Sequence, residues 1–223
     1  MDILHEDAAL IAAIKPRGIV SQCTDQGNGF ADLLADRNGG YIGVVHRLDR
    51  GVDGVMIYAK TPRSAARLSA FVQNGSVKKE YLAVVHGVPS PTNGTMRDLL
   101  FHDRARNKTF VVERVRQGVK EAILDYEILE TLDTEEYGTI SLVHITLGTG
   151  RTHQIRVQFA SRGHALVGDG KYGARDRCEI GLCCHRITLP HPESGQELSF
   201  SYISDGAPWG PFSALLGKMG GTD

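Results

Sequence analysis

Two short stretches carry the side chains that could do chemistry. Val45-His46-Arg47-Leu48-Asp49-Arg50-Gly51-Val52-Asp53-Gly54 places a carboxylate, Asp49, between two arginines in a glycine-bounded turn. Further on, Gly148-Thr149-Gly150-Arg151-Thr152-His153-Gln154-Ile155-Arg156 places a guanidinium, Arg151, where a glycine-rich turn enters a helix. A carboxylate that acts as a nucleophile needs a cation to keep it ionised once water is excluded. Asp49 and Arg151 could supply that pair. Taken alone, the first stretch reads better as a surface Arg-Asp turn, and the second can be half of a fold-locking ion pair. The glycines that shape the first turn, and the presence of both motifs, favour the chemical reading.

Other reactive side chains say less. Tyr81 opens an apolar strand after Lys78-Lys79-Glu80, the usual place for a core tyrosine with its hydroxyl at the rim. Its phenol could also stack on a base or move a proton. Cys178, Cys183, Cys184, His185 and His191 have the spacing C-x4-C-C-H-x5-H, which matches no zinc pattern, so no metal is expected and the thiols are assigned to packing. Gly148-x-Gly150 lacks the third glycine of a dinucleotide loop. Gly168-x-Gly170-Lys171 lacks the first half of a phosphate-binding loop. No cofactor is expected.

The elements that must position these residues follow from pattern. Residues 3–22 read as short apolar segments broken at Lys15-Pro16-Arg17-Gly18. Ala31–Asp36 reads as a short helix and Gly54–Lys60 as a buried strand. Thr61 caps a helix that begins at Pro62, shows Ala65, Leu68, Phe71 and Val72 on one face and stops at Asn74-Gly75. Tyr81–Val85, Ala122–Leu129, Thr139–Leu147, Leu182–Leu189 and Leu198–Tyr202 read as strands. Thr152–Ser161 reads as a helix with Ile155, Phe159 and Ala160 inward, followed by a glycine-rich loop over 163–173. Residues 92–120 have no clean period and are expected to form a long loop or mobile hairpin. Strands dominate, so the expected class is α+β, a mixed, mainly antiparallel sheet with flanking helices.

Bulk properties narrow the function. The 223 residues, 41% hydrophobic, suffice for a single domain with a real core. No apolar run approaches the roughly 20 residues of a membrane span, and Met1-Asp2-Ile3-Leu4-His5-Glu6-Asp7 lacks a signal-peptide pattern. A cytoplasmic monomer that needs no protein partner is expected. Net charge is -1, yet residues 97–120 hold seven basic side chains against three acidic ones. Such a local excess suits a one-sided phosphate-binding surface, although a merely solvated basic face would look the same.

With His46-Arg47-Leu48-Asp49 and Gly150-Arg151-Thr152-His153-Gln154-Ile155-Arg156 in place, the chain resembles the RluA family of pseudouridine synthases. The resemblance covers roughly residues 3–202. It takes in Ile14-Lys15-Pro16-Arg17-Gly18, Lys79-Glu80-Tyr81-Leu82-Ala83-Val84-Val85-His86-Gly87 and Gly168-Asp169-Gly170-Lys171-Tyr172-Gly173. It implies an enzyme that flips a uridine out of structured RNA, ribosomal or transfer, and isomerises it to pseudouridine without cofactor or metal. By resemblance, Asp49 is the nucleophile, Arg151 its salt-bridge partner, and Tyr81 the residue that stacks on uracil and helps remove the C5 proton. Arg47 fills the space the nucleotide leaves. RNA contacts are further expected from His46, His153 and Arg156, and from Arg104, Arg106 and Lys108 of the basic segment. Attack at the sugar C1′ and at the ring C6 both fit. No small basic RNA-binding domain is expected at the N-terminus.

The chain departs from the family pattern at two places. Val52-Asp53 stands where Thr-Ser commonly precedes the glycine, and Ile14 where Asn commonly precedes Lys-Pro. An Asp53 turned into the cleft would raise the Asp49 pKa and repel phosphate; one turned outward would do little. Two other functions compete: a non-catalytic RNA-binding or RNA-chaperone protein on the same fold, and a carboxylate-based hydrolase using Asp49 and Asp53.

Overall fold

The computed structural model describes residues 1–220. In chain order the elements are β1 (Ile3–Glu6), β2 (Leu10–Lys15), α1 (Phe30–Asn38), β3 (Gly43–Val44), β4 (Asp53–Ala59), α2 (Pro62–Gln73), β5 (Lys78–His86), β6 (Asn93–Asp103), β7 (Lys108–Val112), β8 (Val119–Thr134), β9 (Gly138–Leu147), α3 (Gln154–Ala160), β10 (Leu182–Pro190), β11 (Glu197–Ser201) and α4 (Ser213–Gly220). The class is α+β with a mainly antiparallel sheet arrangement, as the strand-rich sequence implies. The chain packs as two compact units. One holds Met1–Lys79 and Cys183–Ser204; the other holds Glu80–Leu182 and the residues from Asp205 on. Among the described residues no helix is long and apolar enough to cross a membrane.

In the first unit β2 and β4 are buried at every position, which is why both read as near-continuous apolar runs. β4 pairs antiparallel with β2 and β3 and parallel with β10, in the register Cys183↔Asp53 and Cys184↔Gly54. That last pairing explains a glycine. At Gly54 φ is +124°, and a Cβ there would lie 2.4 Å from the Cys184 carbonyl oxygen, so no side chain fits. α2 begins as expected: Thr61 Oγ1 accepts from the Ser64 amide at 3.1 Å, while Ser64 Oγ accepts from the Thr61 amide at 3.2 Å. Such a cap is worth about 1 kcal/mol.

The second unit carries an antiparallel sheet ordered β5-β9-β8-β6-β7. Of the two forms expected for residues 92–120, a long loop or a hairpin, the hairpin is the one that forms: β6 pairs with β8 from Asn93↔Glu127 to Phe101↔Val119, and β7 folds back on β6. The alternation was hidden because the polar side chains of β6 are paired rather than replaced by apolar ones. Arg97 bridges Glu121 at 2.7 Å, Thr95 donates to Asp125 at 2.5 Å, and Asp98 receives Gln158 at 2.7 Å and Arg162 at 2.9 Å.

The helix expected over 152–161 is α3, and it is buried on nearly every side. Ile155, Val157 and Phe159 pack inward, Phe159 meeting Tyr126 edge-on at 5.6 Å, whereas Ala160 is only half-buried. The polar positions between them are also buried and bonded, so no amphipathic stripe marks the helix in sequence. α4 also went unread: Leu216 is buried within it and Trp209 and Phe212 just before it, but Gly206, Pro208, Gly210 and Pro211 break the period that would announce it.

Candidate active site

In the first unit the turn that bears Asp49 is tied by its own backbone on both sides. The Leu48 amide donates to Ser21 Oγ at 2.9 Å, and the same hydroxyl donates to the Leu48 carbonyl at 2.9 Å. On the other side the Gly18 amide donates to the Arg50 carbonyl at 2.8 Å, and Arg50 Nε donates to the Gly18 carbonyl at 2.7 Å. The Val52 amide closes the turn on the Asp49 carbonyl at 3.1 Å. Residues 18–21 therefore act as a cradle for residues 48–50. Asp49 is half-buried and Arg47 is exposed. His46 is only 9% exposed, and its Nε2 accepts the Ile57 amide at 3.0 Å. Burial, with Lys79 adding to it, holds its pKa at about 3, so the ring is a neutral fastener on β4. His46, from which an RNA contact is expected, thus has an internal bond on β4.

Asp53 resolves the question raised by the departure from the family pattern. It is buried, with Arg17 Nη2 at 3.1 Å, Ser204 Oγ donating at 2.7 Å and the Tyr202 hydroxyl donating at 3.3 Å. Burial pushes its pKa up; the Ser204 bond and the Arg17 charge oppose that. The carboxylate is held by a cation of its own unit.

Lys15 was read as part of a turn and of a family motif but given no role, and it is the most informative residue the sequence reading missed. Its side chain is fully buried at the end of β2, where Nζ donates to the carbonyls of Pro16 at 2.8 Å and Ile19 at 3.0 Å. Burial lowers its pKa to about 8, while the charges of Asp53 and Asp49 pull it back up. A buried ammonium thus acts electrostatically on Asp49 from within the same unit. The signal was available: a lysine ending a wholly apolar strand, directly before a proline. Because the unfolded chain holds this proton to about 10.5, it binds more protons than the folded state between about 8 and 10.5. Stability therefore rises with pH through that window. We expect a gain of about 3 kcal/mol, absent in Lys15→Met, when urea midpoints of the two proteins are compared across those pH values. Equal slopes would show that Lys15 is not the group responsible.

In the second unit Tyr81 lies on β5 opposite Ile145 of β9 and is 7% exposed. The Arg151 turn is held by Gln154, a residue not singled out from sequence. Gln154 Oε1 accepts from the Arg151 amide at 3.0 Å and from Thr149 Oγ1 at 2.8 Å, and its Nε2 donates to the Ile123 carbonyl at 3.0 Å. Arg151 is exposed, and its Nε donates to the Glu121 carbonyl at 2.8 Å, which orients the guanidinium plane. His153 enters α3 with φ +54°, a left-handed conformation uncommon for a residue with a Cβ. Its Nδ1 meets the Tyr172 hydroxyl at 3.0 Å, and that hydroxyl also accepts the Thr109 amide at 2.8 Å.

Arg156 forks onto Asp169, Nε to Oδ2 at 2.6 Å and Nη2 to Oδ1 at 2.7 Å, with both residues buried. His153 and Arg156, from which RNA contacts are expected, are thus also bonded within the framework of the turn and of α3. Arg104 and Arg106 are exposed at the β6–β7 turn, while Lys108 is half-buried, 5.8 Å from the Phe110 ring centroid and 5.4 Å from that of Tyr172. Cys183 and Cys184 are buried in β10.

Residues 9–161 match the family model for RNA pseudouridylate synthases. The chain is 34% identical over 215 residues to an RNA pseudouridine synthase of Synechocystis, covering 88% of this chain and 63% of the relative. It is 33% identical over 225 residues to the ribosomal large subunit pseudouridine synthase D of Neisseria meningitidis, covering 90% of this chain and 57% of that one. It therefore spans less than two thirds of the length of either relative. A solved human structure, RNA pseudouridylate synthase domain containing 4, superposes with a TM-score of 0.74 at 23% identity, over 92% of this chain and 88% of its own, a likeness of fold. The matched segment contains Asp49, Tyr81 and Arg151, each on a turn or strand anchored as described above, and the chain belongs to the RNA pseudouridylate synthase family.

Proposed function

We propose that this chain isomerises uridine in structured RNA to pseudouridine, working in the cytoplasm as a monomer without metal or cofactor. The observation that carries the reading is Asp49 itself: a half-buried carboxylate on a turn held at Leu48, Arg50 and Val52, within the segment that matches the family. Preorganisation of this kind is what a nucleophile needs. In the proposed reaction the target nucleotide leaves its stack. Asp49 attacks C1′ or C6, and the C1′–N1 bond breaks. The uracil turns, C1′ bonds to C5, and the bond to Asp49 breaks with its electron pair returning to the carboxylate. The C5 proton departs and N1 takes up a proton, so no atom is gained or lost. Arg151 supplies the positive charge that keeps the carboxylate ionised, and Tyr81 stacks on the base and helps remove the C5 proton. Arg47 fills the vacated stack. Arg104, Arg106 and Lys108 hold RNA phosphates, which makes binding weaken as salt rises.

The test uses RNA tritiated at uracil C5. Ribosomal RNA is tried first because the Neisseria relative carries a ribosomal name, and transfer RNA second. Isomerisation must expel the label to water. We expect release that is unaffected by a metal chelator. Tight RNA binding with no release from either RNA would favour the non-catalytic reading, and activity that depends on a metal would favour a hydrolase.

A further inference from the structure

We propose that Asp53 and Arg17 together are a positioning device for the Asp49 turn, built into this chain where the family pattern commonly has a serine. The proposal rests on the isomerase reading only for its kinetic arm. Its basis is connectivity within the first unit. Arg17 immediately precedes Gly18, whose amide and carbonyl hold Arg50. Asp53 immediately follows Val52, whose amide closes the turn on Asp49. The 3.1 Å ion pair between Arg17 and Asp53 therefore joins the cradle and the turn just outside their backbone bonds. Ser204 extends the pin to a third segment: it donates to Asp53 at 2.7 Å and receives Arg17 Nη2. Tyr202, from the same segment, donates to Asp53 at 3.3 Å.

Position also matters. Asp53 is the first residue of β4, and Gly54 beside it is pressed against Cys184 of β10, so the far end of the pin is anchored to packed backbone. Asp53 is 4% exposed, whereas Asp49 is half-buried. Asp53 is accordingly a residue that acts through the turn. A nucleophile displaced by even an ångström loses about a hundredfold in rate, and orienting partners behind a reactive group commonly contribute about 10- to 100-fold.

The experiment compares wild type, Asp53→Ser and the double variant Arg17→Met/Asp53→Ser in the tritium-release assay, with a thermal melt of each. The single variant strands the Arg17 charge and removes the pin. The double variant relieves the stranded charge but still lacks the pin. We expect kcat to fall about 10- to 100-fold in both variants, KM to stay within about threefold, and the melting temperature to recover in the double variant alone. Recovery of kcat together with melting temperature would overturn the proposal, since the pair would then serve stability only. So would a single variant with kcat within twofold of wild type, or a loss confined to KM.

Should wild type release no tritium, the isomerase reading fails and the positioning is read from amide hydrogen exchange instead. Asp53→Ser should then speed exchange at Gly18 and Val52 by at least about tenfold relative to Ile57, the amide held by His46. Equal acceleration at all three amides would overturn the proposal.

Discussion

Asp49→Ala will lower tritium release by at least about 10⁴-fold while leaving RNA binding within a few-fold of wild type. The size follows from the role proposed for the residue. A general acid or base can be partly replaced by solvent, at a cost of about 10²–10⁴; a nucleophile that forms the intermediate has no substitute in a closed site. The selectivity follows from the structure. The turn is held through the main chain of Leu48, Arg50 and Val52, through Ser21, and through Gly18, none of which uses the Asp49 carboxylate. Truncation should therefore remove the reactive group without collapsing its support. Asp49→Asn, which keeps the shape, should be as inactive as alanine. Either variant retaining more than about 1% of the wild-type rate would contradict a nucleophilic role.

The second large effect concerns stability. Asp169→Ala will destabilise the second unit by about 3–5 kcal/mol, because it leaves the Arg156 guanidinium buried without the carboxylate that both of its forked bonds reach. Asp169 is 1% exposed and Arg156 6% exposed, so water cannot take over. The damage should spread. Arg156 lies 5.2 Å from the Tyr172 ring centroid, and the Tyr172 hydroxyl holds both Thr109 and His153, which opens α3 beside the Arg151 turn. In a chain of this size a loss of that kind lowers a melting temperature by about 10 °C or more. Replacing both partners, as in Arg156→Met/Asp169→Leu, should restore at least half of the loss, since an apolar pair of similar volume strands no charge. A single variant within about 1 kcal/mol of wild type by urea titration would show that the pair is not a buried one in solution.

Much of this protein was legible in the chain itself. The apolar runs of β2 and β4, the Thr61-Pro62 helix start and the Tyr81 strand are local patterns, and local patterns survive in sequence because burial and capping act on near neighbours. The site motifs were legible for a similar reason: the glycines and charges of each turn lie within ten residues of one another. Whatever depended on a partner far along the chain was not. The β6–β7 hairpin could not be told from a long loop because its charges are satisfied by Glu121 on a neighbouring strand and by Gln158 and Arg162.

The internal bonds of His46 and Arg156 went unread because nothing in their own stretches announces Ile57 or Asp169 as a partner. Asp53 is the sharpest case. Its closeness in sequence to Asp49 suggested a second carboxylate in the reacting site; its partners in space are Arg17 and Ser204, the basis of the positioning role proposed for it. Residue types and short spacings thus determined what chemistry the chain could attempt. Tertiary structure alone decided which charges stay half-buried and which are fully buried, because desolvation and pairing depend on what surrounds a group in space.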